Sequence, residues 1–564
     1  MGSRVRMAAL AVLALLFAVI PWRLHAAVVP VSSPAELIAA INAASPGDTI
    51  TLSAGTYSIS QNLLCDTPGT EADPIVVRAA TLGQALIEFD AVEGFKVSAP
   101  HWRFENLEIE GVCSTHDACE HAFHVFGAAD FTHIRENRIR EYNAMIKVNG
   151  VDPGGGMQFP DDVVIEFNHL YNTTVRNTAN PVTPIDVVGG RRYVVRGNTI
   201  HDFGKGLGNT ISYAAFLKGN SKDGRFERNL VICELNHTDG IRLGLSFGGG
   251  GTAPDSVCEE STCTPEHSNG IMRNNLIVEC PDDVGIYLNE ATNTRIYNNT
   301  LYRTTGIDVR FLASSADVSN NLLSGAIRNR DGGSSNQTAN LVNVTDPQFA
   351  AWFDNPGAAD FDLVDGTTFV DQGTFLSDVY DDYCRNLRDD GFTDIGALEY
   401  DGDGPCDSSM AGGVGVAGDT LKRLLVTKTG AGAGTVESQP MGIDCGADCV
   451  EDFVDGSVVS LSLVPDGGSE LASVGGDTDC SDSILRMTSD RSCIVDFDLC
   501  AIPLVTIMNE TLANEMREAC DEMFVGPMVT ISGEVTLRAG SLVTLGDAFV
   551  VESGASLTIA IGPP

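Results

Sequence analysis

A chain of 564 residues is long enough for several domains, and its 35 Lys and Arg against 76 Asp and Glu leave a net charge of −41. Without a basic patch to displace counterions the composition argues against nucleic acid, and its field repels polyanions unless a local basic site overcomes it. Fifteen cysteines without histidines at finger spacing point to disulfides in an exported protein rather than to a metal centre.

In chain order, residues 1–26 carry Arg4 and Arg6, an apolar run at 7–20 and the small residues Ala26 and Ala27. This pattern predicts a signal peptide cut near Ala26. The run is too short to span a bilayer comfortably and no later stretch is longer, so the protein is expected outside the cell and not as an integral membrane protein. Residues 34–44 predict a short amphipathic helix before a PGDT turn, suited to closing the open end of a solenoid core.

Over 27–400 an asparagine recurs inside one short frame, at Asn106, Asn137, Asn168, Asn198, Asn229, Asn275, Asn299 and Asn321, with gaps of 22 to 46 residues. Such repetition predicts stacked coils. Its handedness follows that of parallel crossovers, giving an all-β, right-handed parallel β-helix. The asparagines are expected to stack in turns and to be structural.

A second strand in each coil alternates in polarity. Ile146, Ile185, Ile241, Ile286 and Ile307 form one inward column, and Val148, Val187, Leu217, Leu243, Leu288 and Val309 the next. The outward column then reads His124, Lys147, Asp186, Phe216, Arg242, Tyr287, Asp308 and Arg328. Beside it run Phe126, Asn149, Val188, Lys218, Gly244, Asn289, Arg310 and Arg330.

In that register Lys218 and Arg242 are about 8 Å apart at the backbone, within reach of one sugar. A lysine base removing the proton next to a uronate carboxylate, with a cation neutralising the developing charge, would give β-elimination. Lys218 is the candidate base, Arg242 the neutraliser, and Tyr287 a proton donor or stacking platform. Lys147, Asp186, Asn289, Arg310 and His124 are candidate substrate contacts. Insertions at 149–160 and after Arg242 are placed to wall the same groove.

Two other classes compete. One is a non-catalytic carbohydrate-binding or adhesin-like surface protein using the same face. The other is a glycoside hydrolase, but Asp186 and Asp308 lie four rungs apart, about 19 Å, whereas an inverting pair needs roughly 6.5–9.5 Å.

The helix with SPGDTITLSAGTYSI, then PIVVRAATLGQALIEF, and the closing GFTDIGALEY resemble secreted bacterial β-helix proteins over roughly 30–400. The similarity is greatest to the polysaccharide lyase family of chondroitinase B and alginate lyases. FLKGNSKDGRFERNLVICE resembles that family's catalytic-lysine coil, and GIRLGLSFGG follows where the family has its catalytic arginine. Two departures stand out: Gly244 occupies the arginine column, and ISYAAFLK lacks the acidic residues that hold the family's calcium. No cofactor is therefore expected, with calcium the alternative that the resemblance implies.

Residues 401–420 predict a Gly-rich linker, 421–500 a small all-β disulfide domain, 501–525 a helical linker and 526–564 a short β-stack. GIDCGADC resembles a secreted bacterial repeat that implies a spacer or envelope attachment unit. Cys113/Cys119, Cys258/Cys263, Cys445/Cys449, Cys480/Cys493 and Cys500/Cys520 are expected pairs. Cys65, Cys233, Cys280, Cys384 and Cys406 are unassigned, and the odd total leaves one thiol over.

Overall fold

The computed structural model describes residues 27–561 except 239, 377, 387, 389–392, 401–420, 440–442, 444, 446–448, 455–457, 467, 478, 500–503, 520–521, 540–541 and 547–548. The expected signal peptide, the Gly-rich linker and the Cys500/Cys520 pair fall outside these residues.

Residues 28–338 form a parallel β-helix of three sheets, with 12, 10 and 10 strands. The first sheet runs from Val28–Val31 to Ser334–Thr338, the second from Gly55–Ile59 to Leu322–Leu323, and the third from Leu63–Cys65 to Ala326–Arg330. One coil contributes a strand to each, for example Val164–Glu166, His169–Tyr171 and Ile185–Val188. Alternation sends Ile165, Leu170, Ile185 and Val187 inward, where all are fully buried. At the open N-terminal end the helix Pro34–Asn42 is capped by the Ser33 hydroxyl and buries Leu37 and Ile41 over the core.

The asparagine ladder lies between the first and second strands of each coil. Asn168 Nδ2 donates to Asn198 Oδ1 at 3.0 Å and to the Ile134 carbonyl, and the Asn168 backbone N–H donates to the same Asn198 oxygen. This unit repeats from Asn137 to Asn321, whose partner Asn340 the frames did not reveal. Asn106 is one residue out of step. It takes the left-handed position (φ 56°) that Glu136 and Phe167 take in the next coils, and Leu107 stands in the ladder column, its N–H donating to Asn137 Oδ1. The asparagines satisfy buried backbone groups, as expected of a structural role.

The column assignment fails at one coil. Ile241–Phe247 pairs with Ile211–Lys218 so that Ile241 faces Ile211, and Leu245 and Phe247 take the inward positions assigned to Ile241 and Leu243. Both strands grow upstream of the sheet edge, where Ile211, Tyr213, Ile241, Leu243, Val284 and Tyr287 make a separate apolar cluster. The extension shifts the column by four residues. Gly248 (φ 97°) takes the column position assigned to Gly244, between Lys218 and Asn289, and a Cβ there would lie 1.8 Å from the Asn289 carbonyl oxygen.

After the last coil the helix Asp346–Trp352 and the hairpin strands Phe353–Asn355 and Asp360–Leu363 turn back over the second sheet. Phe349, Trp352, Phe353 and Phe369 cover Leu230, Ile232, Leu276, Val278 and Tyr302. Residues 421–499 carry a four-stranded and a three-stranded sheet around Leu424, Val426, Val495 and Phe497. The helical expectation for 501–525 is wrong. Leu504–Ile507, Thr511–Leu512, Glu515–Ala519 and Glu522–Val525 are strands in the three small parallel sheets that continue through Ser556–Ile561. Left-handed corners at Asn509 and Asn514 break the run into strands too short for period-two alternation to show.

Four of the expected disulfides form, Cys113–Cys119, Cys258–Cys263, Cys445–Cys449 and Cys480–Cys493, and Cys233–Cys280 joins two coils. These bonds fit an oxidising compartment. Cys65 is a buried free thiol. Among the described residues no helix is long and apolar enough to cross a membrane.

Candidate functional site

The outer face of the third sheet carries six Lys and Arg side chains and His124 in register: Lys96, His124 and Lys147 in one column, Lys218 across from it, and Arg310, Arg328 and Arg330 on the last coils. All but Lys218 are matched by carboxylates. Lys96 and His124 meet Glu93 at 2.6 Å each, Lys147 meets Asp186 at 2.7 Å, and Arg310 meets Asp331. Arg328 and Arg330 share Asp308. Lys218 forms no ion pair among the described residues. Its ammonium donates to the Gly251 carbonyl at 3.0 Å and lies 4.6 Å from the centre of the Phe216 ring.

Burial pushes the Lys218 pKa down, and the charge of Lys147 adds to the shift, while Asp186 and Glu266 oppose it. Lys218 closes its strand, so its side chain emerges where the insertion starts. The loop at 248–251 is built over it. The Gly249 N–H donates to Ser246 Oγ, Asn289 Nδ2 donates to the Gly249 carbonyl at 2.9 Å, and Glu266 accepts from the Gly219 N–H and the Thr252 hydroxyl. Further out, Glu259 turns back to bind Arg191 on the preceding coil. The insertion at 149–160 leaves the same edge of the sheet and lays Phe159 against Gly150 and Gly189. Both insertions therefore border the Lys218 end of the face.

Arg242 is the main correction. It faces Ser212, six residues from Lys218 along the paired strand, or about 20 Å. Its side chain is 1% exposed, donates to the Cys233 and His237 carbonyls and lies 3.8 Å from Glu234. It holds a corner of the coil and does not reach the sheet face, so the Lys218–Arg242 pair does not exist. Ser246 stands in the outward position assigned to Arg242.

Tyr287 keeps its column, but its ring joins the upstream apolar cluster and its hydroxyl accepts from Arg310 at 3.3 Å. Burial raises the Tyr287 pKa, so the hydroxyl stays protonated. Asp186, 6% exposed, is committed to Lys147, and His124 bridges Glu93 and Asn149. The structure thus brings together Lys218, Phe216, Asp186 and Lys147, with Asn289 across the loop. Glu266 and Ser246 were not foreseen, although the GGGG run at 248–251 marked the loop they pin. Among the described residues no group of three or more His, Cys, Asp or Glu side chains could hold a metal ion.

No protein-family model matches the chain. A segment of 92 residues is 34% identical to pectate lyase L of Dickeya chrysanthemi, covering 14% of this chain and 22% of that protein's length. The chain thus spans about a fifth of that relative. Among solved structures it is similar to pectate lyase Pel9A, with TM-score 0.46 and 14% identity over 66% of this chain and 96% of that one. It is also similar to the alginate lyase AlyGC, of the PL6 family, with TM-score 0.31 and 13% identity over 95% of this chain and 75% of that one.

Proposed function

We propose that this protein works outside the cell on a uronate-containing polysaccharide and cleaves it by β-elimination, with Lys218 as the base. The observation that carries the reading is that Lys218 alone, among the six Lys and Arg side chains on the face, lacks a carboxylate partner while burial favours its neutral form. The segment similar to a pectate lyase supports the substrate class.

A neutral Lys218 amine can donate one N–H to Gly251 and still present its lone pair. It takes the proton on the ring carbon next to the carboxylate. The electron pair forms the ring double bond as the glycosidic C–O bond breaks, and the leaving oxygen regains a proton from the ammonium. With Arg242 buried elsewhere, Lys147 is the nearest basic side chain placed to meet the carboxylate. It stands two rungs away, about 12 Å at the backbone, and exchanges Asp186 for the substrate.

Binding without turnover is a second reading, favoured by the engagement of Lys218 with Gly251 and of Lys147 with Asp186. A screen of pectate, alginate and glycosaminoglycans for the absorbance of an unsaturated uronate separates the two. Turnover that disappears in folded Lys218→Ala and Lys218→Arg supports elimination. Retention of a polysaccharide on an affinity gel, without absorbance on any polymer, supports binding and sinks the lyase.

A further inference from the structure

The hydroxyl of Tyr287 is taken by Arg310, but a second tyrosine beside the Lys218 loop is free. Tyr213 lies on the strand Ile211–Lys218, in the stretch by which this strand and Ile241–Phe247 outgrow the sheet. Its ring meets Phe216 edge-on, with centroids 5.6 Å apart and planes at 80°. Phe216 in turn carries the Lys218 ammonium 4.6 Å from its centre.

The Tyr213 hydroxyl reaches the loop at 248–251. A Cβ on Gly250 would lie 3.7 Å from that oxygen and, chain neighbours aside, would have nothing else within 4 Å. The next residue, Gly251, is the one whose carbonyl accepts from Lys218. Phenol and amine therefore approach consecutive residues of one loop, whose Cα atoms are about 3.8 Å apart.

Among the described residues the Tyr213 hydroxyl makes no hydrogen bond. Burial raises its pKa, Tyr287 and Asp283 add to the shift and Arg310 opposes it, so the group stays protonated and offers its hydrogen. The ring is half-buried and packs with Ile211, Leu243 and Tyr287, a cluster that phenylalanine would complete as well. The hydroxyl thus does nothing for the fold. It faces a gap where its hydrogen goes to water or to a ligand oxygen that displaces the water.

We propose that Tyr213 is a further substrate contact of the Lys218 site, donating to an acceptor oxygen of the sugar that Lys218 engages. The inference rests on the uronate-containing polysaccharide proposed above as the substrate. Lys147 stands two rungs from Lys218 along the stack of coils, and Tyr213 stands five residues from it along the strand. The two contacts fix the sugar in two different directions, which is what orienting its reactive proton towards one amine requires.

The test compares the parent chain with Tyr213→Phe by turnover and by retention on affinity gels of pectate, alginate and chondroitin sulfate. The variant keeps the ring against Phe216, so its melting temperature is expected to match the parent's. KM should rise about 3- to 10-fold with kcat nearly unchanged, as for a contact made equally in the ground and transition states. Retention should weaken by the same factor. A parent that retains a polymer without cleaving it sinks the elimination, and weaker retention by Tyr213→Phe then still supports the contact. The proposal is overturned if Tyr213→Phe matches the parent in KM and in retention, or if it melts several degrees lower, which would put the hydroxyl in the fold. It is equally overturned if the parent neither cleaves nor retains any of these polymers.

Discussion

The outer faces of the first and third sheets both carry rows of charge, and they use it differently. On the first sheet Arg78, Glu105, Arg135, Glu166, Arg196, Glu227 and Arg273 stand one per coil in strict register, alternating in sign. The later members are buried. Arg273 bonds Glu227 at 3.0 Å and Asp381 at 3.1 Å, and Arg228 joins the same Asp381, which is brought in by the chain that follows the last coil. Burial alone would raise the pKa of Glu166, but Arg196 and His133 hold it well below its ordinary value. On the third sheet most of the charge is likewise matched, and Lys218 is the exception. A row whose charges all cancel fastens coils together. A single unmatched amine beside a built loop is the group the proposed elimination draws on.

Variants that exchange the two behaviours test the contrast. The largest effect is expected from Lys218→Arg, which keeps a donor for Gly251 but cannot supply a lone pair. Turnover should fall by about 100- to 10,000-fold with the melting temperature nearly unchanged; an arginine variant as active as the parent would remove Lys218 from the chemistry. On the first sheet, Arg273→Ala leaves Glu227 and Asp381 buried without their partner. It should cost about 3–5 kcal/mol in denaturant unfolding, while polysaccharide binding per folded molecule stays at the parental level.

Arg242→Met strips donors from the Cys233 and His237 carbonyls. A loss of about 1–3 kcal/mol with turnover intact is expected; a selective loss of turnover would return Arg242 to the site. The smallest effect is a shift in pH profile. Turnover should rise with pH as Lys218 loses its proton. Removing the Lys147 charge by Lys147→Met raises the Lys218 pKa and moves that limb to higher pH, whereas Asp186→Asn moves it lower. Identical limbs in both variants would show that Lys218 is not the titrating group.

Much of this was legible in the sequence, because stacking repeats the same demand in every coil. The ladder from Asn137 to Asn321 was visible since only an amide can donate and accept between consecutive turns. The third-sheet columns before residue 240 follow from alternation alone. The same method failed where a strand grows at one end. The extension at Ile211–Tyr213 and Ile241–Leu243 slides the register by four residues and leaves the alternation in phase, so Arg242 was placed on the face although it lies in a corner. Cys233–Cys280 was hidden because 47 residues separate partners that adjoin only once the insertion is folded. Tyr287 kept its column, but the cluster that absorbs its ring is tertiary.

The alternating row on the first sheet also gives the molecule a parity. Duplicating one coil would put two arginines or two glutamates on adjacent strands, about 4.8 Å apart. Duplicating two neighbouring coils would leave the sequence of signs unbroken. Along Arg78 to Arg273 the rod can therefore lengthen or shorten without electrostatic penalty only in steps of two turns.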